Sequence, residues 1–424
     1  HDLKSAAQYF NVAEPNRPEL SPSQILEAFH ADRNRFREYL WADLWECYWL
    51  YEKLAEPYFH ITNIVNAIIK SEGNKVKPLT FSEATYKSTA AIIEKLLESH
   101  YGTENLPKPD EKVKYEGGLV LCRRGLYHNA AKLDVASLYP HIMLVYRVHS
   151  RKDHEGWMLR VLKLLTEKRL EFKRLAKEKK DSTADNIQQS LKVLINSIYG
   201  FYGTGGYPFN DMQAASEVTR FGRELLALII ATIEACGGVV AEADTDGVLF
   251  SHPNPEEVER AVNEALPEGF KVELEFAGAS AFVSDRKNYI VRLPNGELVI
   301  KGAKWRGRDK PTFIQDLVHY INLYLEGKPE EAEKFIREIE ETIASGSEAG
   351  WAKVSVTRKV GKNDKFLKAY GKEEGEKVTF AYKHAKTKAV SFDPSEGYDV
   401  QHYLKDFREK LLEVKAVLGI VDAP

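Results

Sequence analysis

The chain has 424 residues, too many for one ordinary domain, and its 43% apolar share is enough for real hydrophobic cores. A net charge of −3 excludes an overall basic protein, and three cysteines without paired spacing (Cys47, Cys122, Cys236) imply neither a zinc site nor a disulfide framework. No apolar run reaches the ~18 residues of a membrane span, so a reduced, cytoplasmic setting without membrane contact is expected, associated with the nucleoid if the source is prokaryotic.

In chain order, residues 21–56 read as helices, opened by the Ser21-Pro22-Ser23 cap, with apolar spacing through Leu40, Leu44, Trp49 and Leu54. A further helix is expected over 81–100. Proline and charge mark a loop from Pro107 to Lys114, followed by strand-like sequence from Gly118 to Leu121. Asp134 sits within an apolar strand pattern that ends in a turn near Pro140. Residues 156–180 form a basic helical pattern, and Asp181-Ser182-Thr183 caps a second helix, so the two make a hairpin. Val239-Val240-Ala241 and Val248-Leu249-Phe250 flank Asp244-Thr245-Asp246, which predicts a β-hairpin with carboxylates at its tip. More strands are expected over 271–300, helices over 311–345, a mixed basic stretch from 351, and a last helix over 399–418.

Charge is segregated beneath the near-neutral total. Arg160–Lys180 holds nine Lys/Arg against three Glu, and Trp351–Val390 eleven against four Asp/Glu. Such runs are solvated faces or nucleic-acid surfaces. Asp244 and Asp246 on one tight turn repel each other, and a hard cation relieves that by taking oxygen ligands. Asp134, expensive as a lone charge in an apolar strand, could complete a site for two Mg²⁺ ions. Two such ions about 3.5–4 Å apart stabilise the attacking and leaving oxygens of an in-line displacement. Arg169 and Lys173 lie four apart on one helix, Lys192 and Asn196 four apart on the next, so all four could converge on a triphosphate.

Asp134-Val135-Ala136-Ser137-Leu138-Tyr139-Pro140 resembles the first polymerase motif of family B DNA polymerases. Lys192-Val193-Leu194-Ile195-Asn196-Ser197-Ile198-Tyr199-Gly200 resembles the second, and Ala243-Asp244-Thr245-Asp246-Gly247 the third. Tyr115-Glu116-Gly117-Gly118 is similar to the family's short motif between exonuclease and polymerase domains. Arg286-Lys287-Asn288-Tyr289 and Lys301-Gly302 resemble its later palm elements. The six matches stand in the family's order.

The resemblance implies a multidomain α/β (α+β) right hand: palm sheet, helical-hairpin fingers and mixed thumb. It divides the chain into an exonuclease remnant (1–60), linker helices and first part of the palm (61–150), fingers (151–200), second part of the palm (201–310) and thumb (311–424). The implied activity is template-directed addition of deoxynucleotides to a primer 3′ end with two Mg²⁺ ions, Mn²⁺ being an alternative. Asp134 and Asp246, with the Val135 carbonyl, would hold the metals, Asp244 standing close by. Ser137, Leu138, Arg169, Lys173, Lys192 and Asn196 would meet the triphosphate. Tyr139 would be the steric gate against a 2′-OH, and Tyr199 and Gly200 would pack against the nascent base pair. Tyr115, Gly117, Gly118, Lys287, Tyr289, Lys301 and Gly302 would touch the primer-template.

This sequence departs from the family at Glu242, where an aromatic residue is usual, and at Gly247, where Ser is common. Tyr39-Leu40-Trp41-Ala42-Asp43 resembles the third motif of the family's 3′-5′ exonuclease, whose first two motifs have no counterpart here. The expectation is that this chain does not proofread. Expected partners are primer-template DNA and deoxynucleoside triphosphates, with room for a separate exonuclease-bearing chain or a sliding clamp. The rival reading is a non-catalytic DNA-binding or scaffold subunit derived from a polymerase.

Overall fold

The computed structural model describes residues 3–421 other than Pro15, Glu19, Gly307 and Arg308. Helices α1 (Leu3–Tyr9), α2 (Pro22–Ala31), α3 (Arg33–Ser71), α4 (Phe81–Tyr86) and α5 (Thr89–Tyr101) lead into strands β1 (Val120–Cys122) and β2 (Gly125–Val135). The helical expectation over 21–56 extends further than the sequence suggested. Helix α3 runs 39 residues through Pro57, carried beyond it by buried Ile61, Val65, Ile68 and Ile69. The expected 81–100 helix is instead two, because Ser88 accepts a hydrogen bond from the Ala91 N–H and restarts the chain as α5.

The apolar row that marks α3 in the sequence does not face a core. Leu40, Leu44, Trp49 and Leu54 are exposed, and Ala42, Glu46 and Leu50 form the buried side. Periodicity identified the helix but not its inward face.

After α6 (Leu138–Val145), α7 (Trp157–Lys179) and α8 (Ser182–Tyr202) form the antiparallel hairpin, and α9 (Met212–Ala235) follows. Two buried carboxylates, Asp153 and Asp211, fix the base of that hairpin. Asp153 accepts from the Trp157 and Met158 N–H groups at 2.8 and 2.9 Å and from the Tyr101 hydroxyl, which pins α7 to α5. Asp211 caps α9 and takes a two-pronged bond from Arg151, at 2.8 Å from Nε and 2.9 Å from a terminal nitrogen. Asp181 caps α8, as the sequence predicts.

Strands β3 (Val239–Asp244) and β4 (Gly247–Ser251), helix α10 (Pro255–Ala265), and strands β5 (Val272–Asp285), β6 (Asn288–Arg292) and β7 (Leu298–Lys301) complete the sheet. Among the described residues it has seven strands, ordered β1-β3-β4-β2-β5-β6-β7, and every pairing is antiparallel. The main core, which includes Leu133, Leu194, Phe201, Leu226 and Phe250, lies between this sheet and the helices.

The remainder is α11 (Ala303–Arg306), α12 (Phe313–Leu325), α13 (Pro329–Ala344), α14 (Glu348–Val354), β8 (Val356–Lys359), α15 (Lys365–Lys368), β9 (Lys377–His384), β10 (Ala389–Ser391) and α16 (Val400–Val417). Phe313, Ile321, Ile336 and Phe407 build a second core here, seated on the sheet through Phe282 and Ile290. Strands β10-β9-β8 form a small antiparallel sheet with its own core around Val378 and Phe380. The fold is mixed α and β with antiparallel sheets.

Candidate active site

Strands β2, β4 and β3 are neighbours, and their register sets Asp134, Gly247 and Asp244 in one row across the sheet. Residues in register share a face, so the two aspartates flank a glycine. A Cβ on Gly247 would stand 3.1 Å from Asp134 Oδ1 and 3.0 Å from Lys132 Cε, so the missing side chain leaves the space those groups use. Two rows further along, on the same face, lie Lys132, Leu249 and Glu242. Asp246 is carried by the turn itself, and its carbonyl accepts the Val135 N–H at 2.8 Å, which ties the first motif to the third.

That turn is strained. Thr245 has φ +61°, a region β-branched residues avoid, and the Asp246 N–H closes onto the Asp244 carbonyl at 2.7 Å. Ser137 (φ +50°), between β2 and α6, and Lys287 (φ +60°), in the β5–β6 turn, also hold left-handed conformations. Such strain clusters where the surroundings over-determine a site.

Burial raises the Asp134 carboxyl above its ordinary range, and the Asp246 charge beside it raises it further. Asp246 is raised by burial as well, against the lowering effect of Lys132. Lys132 Nζ lies 3.9 Å from Asp134 Oδ1 and also pairs with Glu275. Asp244 pairs with Lys287 Nζ at 3.0 Å. Among the described residues no three His, Cys, Asp or Glu side chains form a preformed metal cage. The donor set nevertheless fits a hard divalent cation: two carboxylate side chains, penalised by burial and by each other, are what such an ion relieves.

The helical hairpin faces this sheet. Arg169 donates to Ser137 Oγ at 3.0 Å, its Nε is buried without a partner, and desolvation pulls the guanidinium below its ordinary value. A half-buried cation with an unused, buried Nε donor suits an anionic ligand. Lys192 is exposed, and its charge reaches both Asp134 and Asp246. Lys173 and Asn196 are exposed on α7 and α8.

Aromatic groups line the other wall. The Tyr139 and Tyr199 ring centroids are 4.3 Å apart, and the Tyr115 and Tyr199 hydroxyls 3.4 Å apart. Tyr139 packs so closely on Gly118 and Gly222 that a Cβ on either would approach it to 3.2 or 3.0 Å. Burial, then the Asp246 charge, pushes the Tyr139 hydroxyl up to about 12. Leu138 is buried behind it, Gly200 is exposed, and the Gly117 carbonyl is held by Arg223 at 2.8 Å.

Lys287 and Lys301 are exposed, as expected of groups that meet DNA. Tyr289 is not: it is 5% exposed and packs in the sheet core with Ala241 and Leu249. Gly302 closes over the Lys287–Asn288 turn, where a Cβ would stand 2.3 Å from the Lys287 carbonyl.

Sequence reasoning missed Lys132 and the use made of Glu242. Glu242 is 3% exposed, accepts the Lys287 N–H at 3.3 Å, and is pushed up to about 7 by burial and then by Asp244. A Lys two residues before Asp134 on the same strand face was the available signal. At the other end, Asp43 and buried Glu46 are both held by the Arg17 guanidinium.

A family model, DNA polymerase family B, matches residues 145–392, more than half of the chain. The DNA polymerase of Archaeoglobus fulgidus is 31% identical over 237 residues, which are 49% of this chain and 30% of that protein. DNA polymerase 1 of Pyrococcus abyssi is 28% identical over 309 residues, 62% of this chain and 40% of that protein. The chain thus spans well under half the length of these relatives. The structure of the family B DNA polymerase from the hyperthermophilic archaeon Pyrobaculum calidifontis matches the fold with a TM-score of 0.66 at 19% identity, over 100% of this chain and 62% of that one. The match over residues 145–392 takes in the second motif on α8 and the third on β3 and β4, and on it the chain belongs to DNA polymerase family B.

Proposed function

We propose that this chain is a template-directed DNA polymerase core that adds deoxynucleotides to a primer 3′ end. The large sheet with α6, α9 and α10 is its palm, the α7–α8 hairpin its fingers, and residues 311–424 its thumb. The observation that carries the reading is the meeting of Asp134 and Asp246 on the sheet opposite Arg169 and Lys192 on the hairpin.

Asp134, Asp246 and the Val135 carbonyl would hold two Mg²⁺ or Mn²⁺ ions, with Asp244 held beside them by Lys287. When bound, such ions supply positive charge to the attacking and leaving oxygens of an in-line displacement. The chain's own residues do the rest. Arg169, freed from Ser137, offers its unpartnered Nε to the incoming phosphates, and Lys173, Lys192 and Asn196 add donors along the same hairpin. Ser137 and Leu138 approach the phosphates at the head of α6. Tyr139, wedged between Gly118 and Gly222, blocks the space of a 2′-OH. Tyr199 and Gly200 pack on the new base pair, and Tyr115, Gly117, Gly118, Lys287, Lys301 and Gly302 line the duplex near the primer end. Tyr289 supports that surface from beneath. Proofreading is not part of this reading, since Asp43 alone cannot hold the metals that hydrolysis needs.

Extension of a labelled primer on a DNA template with Mg²⁺ tests the reading, run beside Asp246→Ala. The parent extends and the variant loses at least ~10³-fold in rate, the scale on which electrostatic catalytic groups act. Primer-template binding without extension by either protein would instead indicate a non-catalytic DNA-binding or scaffold subunit.

A further inference from the structure

Lys132 lies beside the two aspartates of the site and has no part in the reading above. It stands two residues before Asp134 on β2, so both side chains rise from one face of the sheet. Its Nζ pairs with Glu275 of β5 and comes within 3.9 Å of Asp134 Oδ1. The side chain is only 15% exposed, and it has room because residue 247 is a glycine, where a Cβ would stand 3.0 Å from Lys132 Cε. A Lys ammonium is ordinarily a strongly hydrated charge on a flexible stem. Here it is fixed in the sheet.

Its position matters more than its pairing. Glu275 is 48% exposed, and an ion pair with so open a partner stabilises a sheet little. The effect on the aspartates is larger. Burial raises the Asp134 and Asp246 carboxyls, and Lys132 draws both back more strongly than Lys192, the cation of the hairpin. Lys192 is exposed on α8 and faces incoming phosphates, whereas Lys132 belongs to the sheet. The charge of Lys132 also reaches Glu242. Amid these carboxylates it relieves part of the repulsion that a divalent ion would otherwise relieve. The same charge repels a divalent ion seated on Asp134 and Asp246.

We propose that Lys132 is a resident cation that sets the metal affinity of this site. It steadies the carboxylates before metal arrives and weakens their hold on divalent ions, so the site fills only at higher metal concentration. The proposal rests on the reading of Asp134 and Asp246 as the metal pair. Lys132 is thus a positioning residue, acting through those two aspartates.

Mn²⁺ binding to the full chain, without DNA or nucleotide, tests this apart from activity; the free-ion electron paramagnetic resonance signal falls as metal binds. Lys132→Met keeps the length of the side chain and removes its charge, and should bind Mn²⁺ about tenfold more tightly than the parent. Lys132→Arg keeps the charge and should stay within about twofold of the parent. Half-maximal primer extension should shift to lower Mg²⁺ concentration for Lys132→Met alone. Circular dichroism melts establish that the variants fold. Where Lys132→Met does not, Lys132→Gln, which can still donate to Glu275, carries the same expectation. A folded neutral variant that binds Mn²⁺ no more tightly than the parent would overturn the proposal, as would Lys132→Arg behaving like the neutral variant. Asp246→Ala separates the underlying reading: if it binds Mn²⁺ as well as the parent, the metal pair is wrongly assigned and the proposal falls with it.

Discussion

Glu242 shows how far one residue can depart from its surroundings and still be used. It is a carboxyl sealed in the sheet, two residues from Asp244 on the same face of β3, and it accepts a hydrogen bond from the Lys287 N–H. Burial, then Asp244, lifts it from 4.5 to about 7. Between those values the folded chain keeps a proton that the unfolded chain has lost. Stability from this group therefore falls as pH rises through that window, and the penalty is complete above about 7. Glu94, also raised to about 7 by burial, acts in the same direction. Glu242→Gln keeps the acceptor for Lys287 and cannot ionise. Urea midpoints measured at about pH 5 and pH 8 should differ less for the variant than for the parent. Equal pH slopes would mean that Glu242 does not ionise at the site as described.

At the scale of elements, the turn between β5 and β6 is where strain, charge and a glycine meet. Lys287 there is left-handed, its N–H reaches Glu242 and its ammonium reaches Asp244, while Asn288 Oδ1 accepts the Lys304 N–H at 3.0 Å. Gly302, at φ +90°, is the point where β7 passes over that turn into α11. A Cβ would stand 2.2 Å from Asn288 Oδ1 and 2.3 Å from the Lys287 carbonyl, neither of which is a flexible chain end. Gly302→Ala should cost about 2–4 kcal/mol of stability. Because Lys287 moves with the turn, primer-template affinity should fall several-fold while the KM for deoxynucleotides changes little. Unaltered denaturation and DNA binding would sink this account. Much of the site was legible in the sequence because each motif is compact: Asp134 to Pro140, Lys192 to Gly200 and Ala243 to Gly247 are short strings of residue types with one local geometry each. What escaped reading joins distant positions. Lys132 meets Glu275 across 143 residues, Lys287 meets Glu242 across 45, and Arg17 meets Asp43 across 26. No local pattern announces such pairs. The inward face of α3 was not legible for a related reason, since both of its sides carry apolar residues and only the tertiary fold selects one.

For the whole molecule, the near-zero net charge and the basic runs are reconciled by ion pairing within the structure. Of the eleven Lys/Arg between Trp351 and Val390, five already face carboxylates: Lys353 with Asp316, Arg358 with Asp364, Lys368 with Glu374, Lys372 with Glu376 and Lys383 with Glu396. The C-terminal region therefore offers DNA fewer charges than its composition suggests. If about five cations there exchange counterions for phosphates, log Kobs should fall with log salt at a slope near −4.5. Affinity for a primer-template duplex would then drop ~10³-fold between about 50 and 200 mM salt. Fluorescence anisotropy across that range measures the slope. A slope near −10 would mean that the internal pairs open to DNA on binding. One flatter than about −2 would remove residues 311–424 from the duplex interface and leave DNA to the sheet and hairpin alone. The intermediate slope is expected because each of the five pairs would have to give up a carboxylate to release its cation, at a cost that a single phosphate contact only offsets.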